Sequence, residues 1–198
     1  MSSKFHRHGF SLLELLFAMV LMAVLIGLAL DGYTSLIQAT ALTTGADMLN
    51  DTLNEARQSA VTQNCAVEVR IYLSPSQPGS PPAYNALQLH WIRPDGTTPP
   101  VGSPVSLPAS VVIDATPQHS SLIGINSQPA TPDATDGRLN SQTRVFHFLP
   151  DGSTDLSPST KWFLTVRVAT QSDPARFPSN WVCVKVDPTT GRVQVYRP

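Results

Sequence analysis

The stretch His8-Gly9-Phe10-Ser11-Leu12-Leu13-Glu14-Leu15-Leu16 opens the segment that decides the architecture of this chain. It begins an apolar run over residues 10–30 in which Glu14 is the only ionisable side chain. A helix of that length spans about 30 Å, which is the hydrocarbon thickness of a bilayer. Because a carboxylate inside such a run costs a few kcal/mol on insertion, we expect Glu14 to have a partner or a function.

The charges around the apolar run predict its orientation in a membrane. Lys4 and Arg7 precede the run, and the next basic residue is Arg57. Cytoplasmic flanks of membrane helices are enriched in Lys and Arg. The N-terminus is therefore expected in the cytoplasm, with the rest of the chain across the membrane.

The stretch from Gly9 to Leu16 resembles the prepilin signal of type IV pilins and type II secretion pseudopilins, since glycine, apolar residue and glutamate keep the family's spacing. The resemblance implies cleavage by a prepilin peptidase between Gly9 and Phe10, followed by N-methylation of Phe10. It also implies that Glu14 pairs with the terminal amine of a neighbouring subunit during assembly. A secretory signal peptide or an ordinary signal anchor would also fit an apolar run, but neither requires Glu14.

The length of 198 residues suits one membrane helix and one modest domain. The chain has 13 basic and 14 acidic residues, and removal of residues 1–9 takes away Lys4 and Arg7, which leaves a net charge of −3. This balance does not favour binding to nucleic acid or to an anionic membrane surface. The 18 prolines lie after residue 74 and predict a loop-rich domain outside the cytoplasm.

The helix is expected to continue beyond the membrane, to about residue 62. Apolar or small side chains recur there every three or four residues, which places them on one helical face; they are Leu42, Ala46, Leu49, Leu53, Ala56 and Ala60. The sequence thus predicts a leader over residues 1–9, a transmembrane half-helix over 10–30, an amphipathic half over 31–64 that packs on the domain, and a β-rich periplasmic domain over 65–198.

After Asn64 the apolar pattern changes to a period of two. In residues 66–73, Val67 and Val69 point one way and Glu68 and Arg70 the other, which predicts a half-buried strand. Similar alternation recurs over residues 86–92, 105–113, 144–149, 161–169, 181–186 and 192–196. Strands without intervening helices predict an α+β fold with an antiparallel sheet or a pair of sheets.

Two further regions bear on the architecture. Residues 74–84 and 115–143 are low in apolar content and are expected to be long loops.

The segments over residues 146–152 and 181–193 resemble the closing strands of H-type minor pseudopilins and minor pilins. The tail over residues 188–198 is also similar to the prepilin-like cassette protein D families of Verrucomicrobia.

Cys65 and Cys183 are far apart in sequence. In an oxidising compartment they could form a disulfide, or they could be two small buried apolar side chains. The sequence leaves both readings open, because it does not place their Cα atoms within bridging distance.

No enzyme motif is present in the sequence: there is no Gly-x-Ser-x-Gly elbow, no His-Glu-x-x-His, no phosphate loop and no Cys-x-x-Cys pair. His147 lies in an alternating strand and is expected to be structural. The candidate acidic ligands are dispersed, so no metal site or other cofactor is predicted; they are Asp151, Asp155, Asp173 and Asp187.

One branch of the minor pilins takes up DNA through a C-terminal Gly-Arg-x-Arg tail. Here the corresponding residues are Gly191-Arg192-Val193-Gln194, so the second arginine is missing, although Arg197 follows. Arg192 and Arg197 are therefore the candidate DNA contacts. The net acidic mature chain argues against strong phosphate binding.

The sequence therefore predicts a structural, pilin-like subunit of a type IV pilus or type II secretion pseudopilus. Its expected location is the bacterial inner membrane, with a single span and a periplasmic domain. The expected partners are the prepilin peptidase, other pilins, and the inner-membrane assembly platform with its ATPase. A DNA- or surface-binding minor pilin and a plain membrane-anchored periplasmic domain are the two alternatives.

Overall fold

A computed structural model describes residues 11–75, 80–125, 142–170, 177 and 180–197, with the backbone alone at 28–32. One helix, α1 (Leu12–Gln63), precedes all the strands and extends over 52 residues. The strands are β1 (Ala66–Pro75), β2 (Pro82–Ile92), β3 (Pro100–Ser106), β4 (Val111–Ile113), β5 (Arg144–Phe148), β6 (Trp162–Val168), β7 (Trp181–Val186) and β8 (Val193–Tyr196). The predicted α+β class is confirmed.

The chain divides into two compact units, Met1–Gln38 and Ala39–Pro198. The described part of the first unit is helical from Leu12 onward. The second unit contains the rest of α1 and all the strands. The predicted divisions at residues 9, 30 and 64 stay predictions.

The core of the second unit lies between α1 and one face of the sheet. All six residues of the predicted helical stripe are at most 3% exposed, and Leu49 and Leu53 are completely buried. They belong to one apolar cluster with side chains from the strands, including Val67, Val69 and Val184. Burial of this stripe holds the second half of α1 in place, since its intrinsic helical preference is weak at positions such as Gly45.

The strands form a single antiparallel sheet, not two. Its order is β5-β1-β2-β4-β6-β7-β8, and β3 pairs with β2 beside this path. Consecutive strands β1–β2, β6–β7 and β7–β8 are neighbours in the sheet, as is common for strands that follow each other in the chain. The C-terminal hairpin therefore places β8 at one end of the sheet.

The strand predicted over residues 105–113 is wrong, because two strands occupy this region. β3 ends at Ser106 and β4 begins at Val111, with a turn in which Val111 N–H donates to the carbonyl of Pro108 at 2.8 Å. Pro108 has no N–H to give to a ladder, so the chain turns there instead of continuing. β4 then pairs with β2 at Tyr84 and with β6 on its other side.

The predicted long loops are also shorter than expected in the described regions. β1 extends to Pro75 and β2 begins at Pro82, so much of residues 74–84 is a hairpin. Its polar residues pair with each other: Ser74 Oγ donates to Asn85 Oδ1 at 2.6 Å. Within residues 115–143, a short 3-10 helix covers Ser121–Gly124, and residues 126–141 lie outside the described part.

Candidate functional site

The predicted processing residues, Gly9 and Phe10, lie outside the described residues. α1 begins two residues later, and Glu14 lies in its first turn. The N-terminal end of a helix favours a carboxylate because its free N–H groups carry partial positive charge. Glu14 is exposed, so its carboxylate is accessible to a partner at the start of the helix.

The first part of α1 carries apolar side chains around its whole circumference. From Leu12 to Ile26 the large apolar side chains are between 53% and 84% exposed. A helix that is apolar on all sides needs cover from lipid or from other apolar helices. Among the described residues, no helical stretch is both long and apolar enough to cross a bilayer.

In the second unit, Arg57 joins α1 to two turns of the sheet. Arg57 Nε donates to the carbonyl of Thr190 at 2.9 Å and to that of Gly152 at 3.3 Å. These turns are the ones that the sequence predicts around residues 150–152 and 187–191. The guanidinium satisfies two carbonyls that are distant in sequence, and so ties the C-terminal hairpin to the helix.

Asp187 shapes the C-terminal turn from within. Its Oδ1 accepts hydrogen bonds from the backbone N–H groups of Thr189 and Thr190 at 3.0 and 2.9 Å. These hydrogen bonds to Thr190 and Thr189 lower the pKa of Asp187. Asp151 makes the same kind of turn with Ser153, where Oδ1 accepts from the backbone N–H at 2.9 Å.

The strand β1 is buried on both faces, and the predicted half-buried strand is wrong. Glu68, Arg70 and Tyr72 point away from α1, yet each is 0% exposed. Glu68 and Arg70 form an ion pair through Arg70 Nε and Glu68 Oε1. Because charges are buried only when they are paired, this pair is what permits polar residues at fully enclosed positions.

His147 extends the ion pair into a chain of charges across β5 and β1. Its Nδ1 lies 2.6 Å from Asp155 Oδ2 and its Nε2 lies 3.2 Å from Glu68 Oε2. Burial lowers the pKa of His147, but hydrogen bonds to Asp155 and Glu68 outweigh it and raise the pKa to about 9. The hydrogen bond to His147 in turn lowers the pKa of Asp155 against the effect of burial.

The surroundings of His147 are those expected of a structural histidine. Both ring nitrogens of His147 face carboxylates, so the protonated imidazole donates from each and has no free nitrogen to act as a base. In the described part of the chain, no cluster of three or more His, Cys, Asp or Glu side chains could hold a metal ion. The strand context of His147 predicted a structural histidine, but not its two carboxylate partners.

We expect the His147 chain of charges to make folding stability depend on pH. Its folded pKa is raised, so its contribution is complete below its ordinary pKa of 6.5 and is lost as the pH rises through about 9. The shift corresponds to about 3 kcal/mol at most. Urea unfolding of the detergent-solubilised chain at pH 6 and at pH 9.5 measures this loss.

The matched variant is His147→Gln, which keeps hydrogen-bonding capacity but does not titrate in this range. The variant is expected to be less stable than the wild type at pH 6 and to show little further loss by pH 9.5. An equal pH dependence in both proteins would assign the effect to another group. At low pH the dependence of stability on pH has the opposite sign. The pKa of Asp155 is lowered, so its contribution to folding stability is lost as the pH falls below 3.8.

Both cysteines are free in this structure, which does not contain the Cys65–Cys183 disulfide considered from the sequence. Cys65 precedes β1 and donates its thiol hydrogen to the Ile92 carbonyl, with Sγ 2.7 Å from the oxygen. Cys183 lies on β7, four strand positions away, which is about 19 Å across a sheet. Disulfides require Cα atoms within about 7 Å. Burial raises the pKa of the Cys183 thiol.

Arg192 and Arg197, the candidate DNA contacts, are both exposed, one before and one after β8. They are five positions apart, an odd number, so in an extended strand their side chains leave opposite faces. DNA contact by Arg192 and Arg197 stays a prediction.

Sequence reasoning missed Arg57, Glu68 and Asp155 as structural residues. The signal for the ion pair was present, because Glu68 and Arg70 are two positions apart on one strand and share a face. Nothing in the sequence indicated that this face is covered. The partners of Arg57 are 95 and 133 residues away, so only the fold could identify them.

The N-terminal segment matches the family model described as the prokaryotic N-terminal methylation motif, over residues 4–30. This match covers the lead residues, the predicted cleavage position and the apolar run. No curated protein matches the sequence.

The fold is similar to that of a minor pseudopilin. The minor pseudopilin EpsH from the type II secretion system of Vibrio cholerae matches with a TM-score of 0.50 and 13% identity, over 81% of this chain and 96% of that chain. A second EpsH structure matches with a TM-score of 0.48 and 12% identity, over 79% and 97%. The type IV minor pilin FimU of Pseudomonas aeruginosa matches with a TM-score of 0.46 and 15% identity, over 78% and 92%.

Proposed function

We propose that this chain is a type IV pilin-like protein that acts as a structural minor subunit of a type II secretion pseudopilus or a type IV pilus, as its N-terminal methylation motif and its fold support. One observation supports this proposal above the others. The methylation motif leads directly into a helix that exposes apolar side chains on all sides and continues into the core of a β domain.

The exposed apolar part of α1 serves two states in this proposal. Before assembly it holds the chain in the inner membrane as a single span, with the N-terminus cytoplasmic and the β domain periplasmic. During assembly the same surface packs against the apolar helices of other pilins. In this proposal the work of extraction comes from the ATPase of the assembly platform.

The proposal is tested by processing. Co-expression with a prepilin peptidase should yield a chain that begins at N-methylated Phe10, as read by mass spectrometry of the intact protein. Gly9→Arg should leave the chain uncut, because a bulky charge replaces the small residue before the cut. Intact Met1 in the wild type, or a terminus near residues 29–32, would contradict the proposal.

Glu14 is proposed to act in assembly and not in folding or insertion. Glu14→Leu removes the only charge of the run, so insertion should become easier by a few kcal/mol. The variant should be cleaved and held in the membrane with its β domain folded. Its incorporation into filaments should be lost, because the carboxylate no longer pairs with the amine of a neighbouring subunit.

The measurement for Glu14→Leu is cross-linking to other pilins, or recovery in sheared filaments. Ser11→Leu is the matched control, since it adds a similar apolar side chain within the same turn and leaves the carboxylate in place. Wild-type incorporation of Glu14→Leu would remove the assembly role of this residue. A variant that fails to enter the membrane would contradict the insertion energetics.

A further inference from the structure

The described sheet contains three strands that pair with a single neighbour, and two of them are protected against pairing with a further strand. Thr154 bridges Phe148 beside β5, and the N–H and carbonyl of His147 are bonded to Asp155. In β3, Pro100 and Pro104 supply no N–H to an added strand, and the left-handed backbone at Gly102 interrupts its regularity. Such devices block strand-to-strand association.

The third of these strands, β8, has no such protection. Its sequence is Val-Gln-Val-Tyr, which favours strand structure and contains no proline or glycine. Asp187 N–H donates to the Arg192 carbonyl at 2.9 Å, so Arg192 directs its backbone groups toward the β7 side. Because this direction alternates along a strand, Gln194 and Tyr196 also bond to β7. The backbone N–H and carbonyl groups of Val193 and Val195 therefore point away from β7.

The core-facing side of the sheet also ends at β8 with apolar surface uncovered. Val195 lies opposite Val184, which is completely buried, so both side chains share the face that packs on the core. Val195 itself is 38% exposed, and Tyr196 on the other face is 48% exposed. A strand added at this edge would satisfy the outward backbone groups and cover apolar side chains on both faces.

The charges at the ends of β8 identify the class of partner. Arg192 and Arg197 are exposed at the two ends, and Lys185 lies opposite Gln194 on the neighbouring strand. A second copy of residues 192–197 would bring two further arginines and no carboxylate to this edge, which opposes self-pairing. A segment with acidic residues would instead place opposite charge near the two arginines.

We propose that the free edge of β8 is a docking site for an extended segment of a different protein, which adds a strand to the sheet and carries acidic residues facing Arg192 and Arg197. The apolar middle of that segment would cover Val195 and Tyr196. The proposal follows from the geometry and charge of this edge alone. It does not depend on the role in a filament proposed above.

Two capped peptides test the charge requirement, with the full chain in detergent micelles. They are Glu-Thr-Val-Thr-Val-Glu, whose glutamates are five positions apart like Arg192 and Arg197, and its counterpart with lysine at both ends. We expect the acidic peptide to bind at least about tenfold more tightly, with slowed hydrogen exchange at the amides of Val193 and Val195. Equal binding of both peptides, or binding that leaves these amides unchanged, would overturn the proposal.

Two variants of one residue separate strand addition from side-chain contact. Val195→Pro removes an N–H that the ladder to β7 does not use, so the chain should fold and lose peptide binding by about tenfold or more. Val195→Thr keeps that N–H and should retain binding. If both variants bind alike, no strand is added at this edge.

A double variant keeps the proposal testable if Val195→Pro does not fold. Arg192→Glu with Arg197→Glu should reverse the preference, so that the lysine peptide binds more tightly than the acidic one. A single-stranded oligonucleotide that displaces the acidic peptide would show that the arginines bind phosphate and would overturn the proposal. Concentration-dependent dimers that disappear in the double variant would assign the edge to a second copy and also overturn it.

Discussion

Leu53→Asp should lower the free energy of unfolding of the β domain by about 5 kcal/mol or more, enough to leave much of it unfolded. Leu53 is completely buried on the face of α1 that packs against the sheet. An aspartate there would place an unpaired charge among apolar side chains. Leu49→Asp should act in the same way, since Leu49 is equally buried one turn earlier.

The matched control for this variant is Asn54→Asp, which introduces the same charge one residue further along α1. Asn54 is exposed, so the control should change stability by about 0.5 kcal/mol or less. Urea unfolding followed by tryptophan fluorescence measures both variants. Similar stability of Leu53→Asp and Asn54→Asp would mean that this face of the helix does not form the core.

Gly191→Ala should lower the free energy of unfolding by about 3 kcal/mol or more and displace the C-terminal hairpin. Gly191 has a φ of 61°, and a Cβ added there would lie 2.1 Å from the Gly152 carbonyl oxygen. The left-handed backbone alone costs an alanine about 1–2 kcal/mol. The remainder comes from the clash, which forces apart the two turns that Arg57 joins.

Gly96→Ala separates the two costs in Gly191→Ala. Gly96 also has a positive φ, of 81°, but an added Cβ would meet no atom within 4 Å. Its variant should therefore lose about 1–2 kcal/mol, from backbone strain alone. Urea unfolding of both variants gives the difference. An equal loss in the two would show that the turns at Gly152 and Gly191 can move apart without cost.

The positions of most strands followed from the two-residue alternation of apolar side chains, and β7 begins and ends where that alternation predicts. The split of residues 105–113 did not follow, because alternation continues through Pro108 although the ladder does not. Turn chemistry was readable where an aspartate precedes a glycine, since the carboxylate bonds the following N–H groups locally. Local interactions of this kind are encoded within a few residues.

The candidate site divides in the same way. The motif around Gly9, Phe10 and Glu14 could be recognised from the sequence, because a peptidase recognises a short linear segment. The match over residues 4–30 supports the motif. The roles of these residues stay predictions. The exposed edge of β8 could not be predicted from the sequence, because the alternation of Val193 and Val195 resembles that of any half-buried strand. Whether a strand has one neighbour or two depends on the order of the sheet.

By itself the sequence determined the long N-terminal helix, its apolar stripe and the antiparallel strands, because helical and extended periodicity are properties of neighbouring residues. Only the tertiary structure decided that Glu68 and Arg70 are enclosed, that His147 lies between two carboxylates, and that the cysteines stay apart. Periodicity says which side chains share a face of a strand. What covers that face is decided by segments far away in the chain, and those contacts form only when the sheet has assembled.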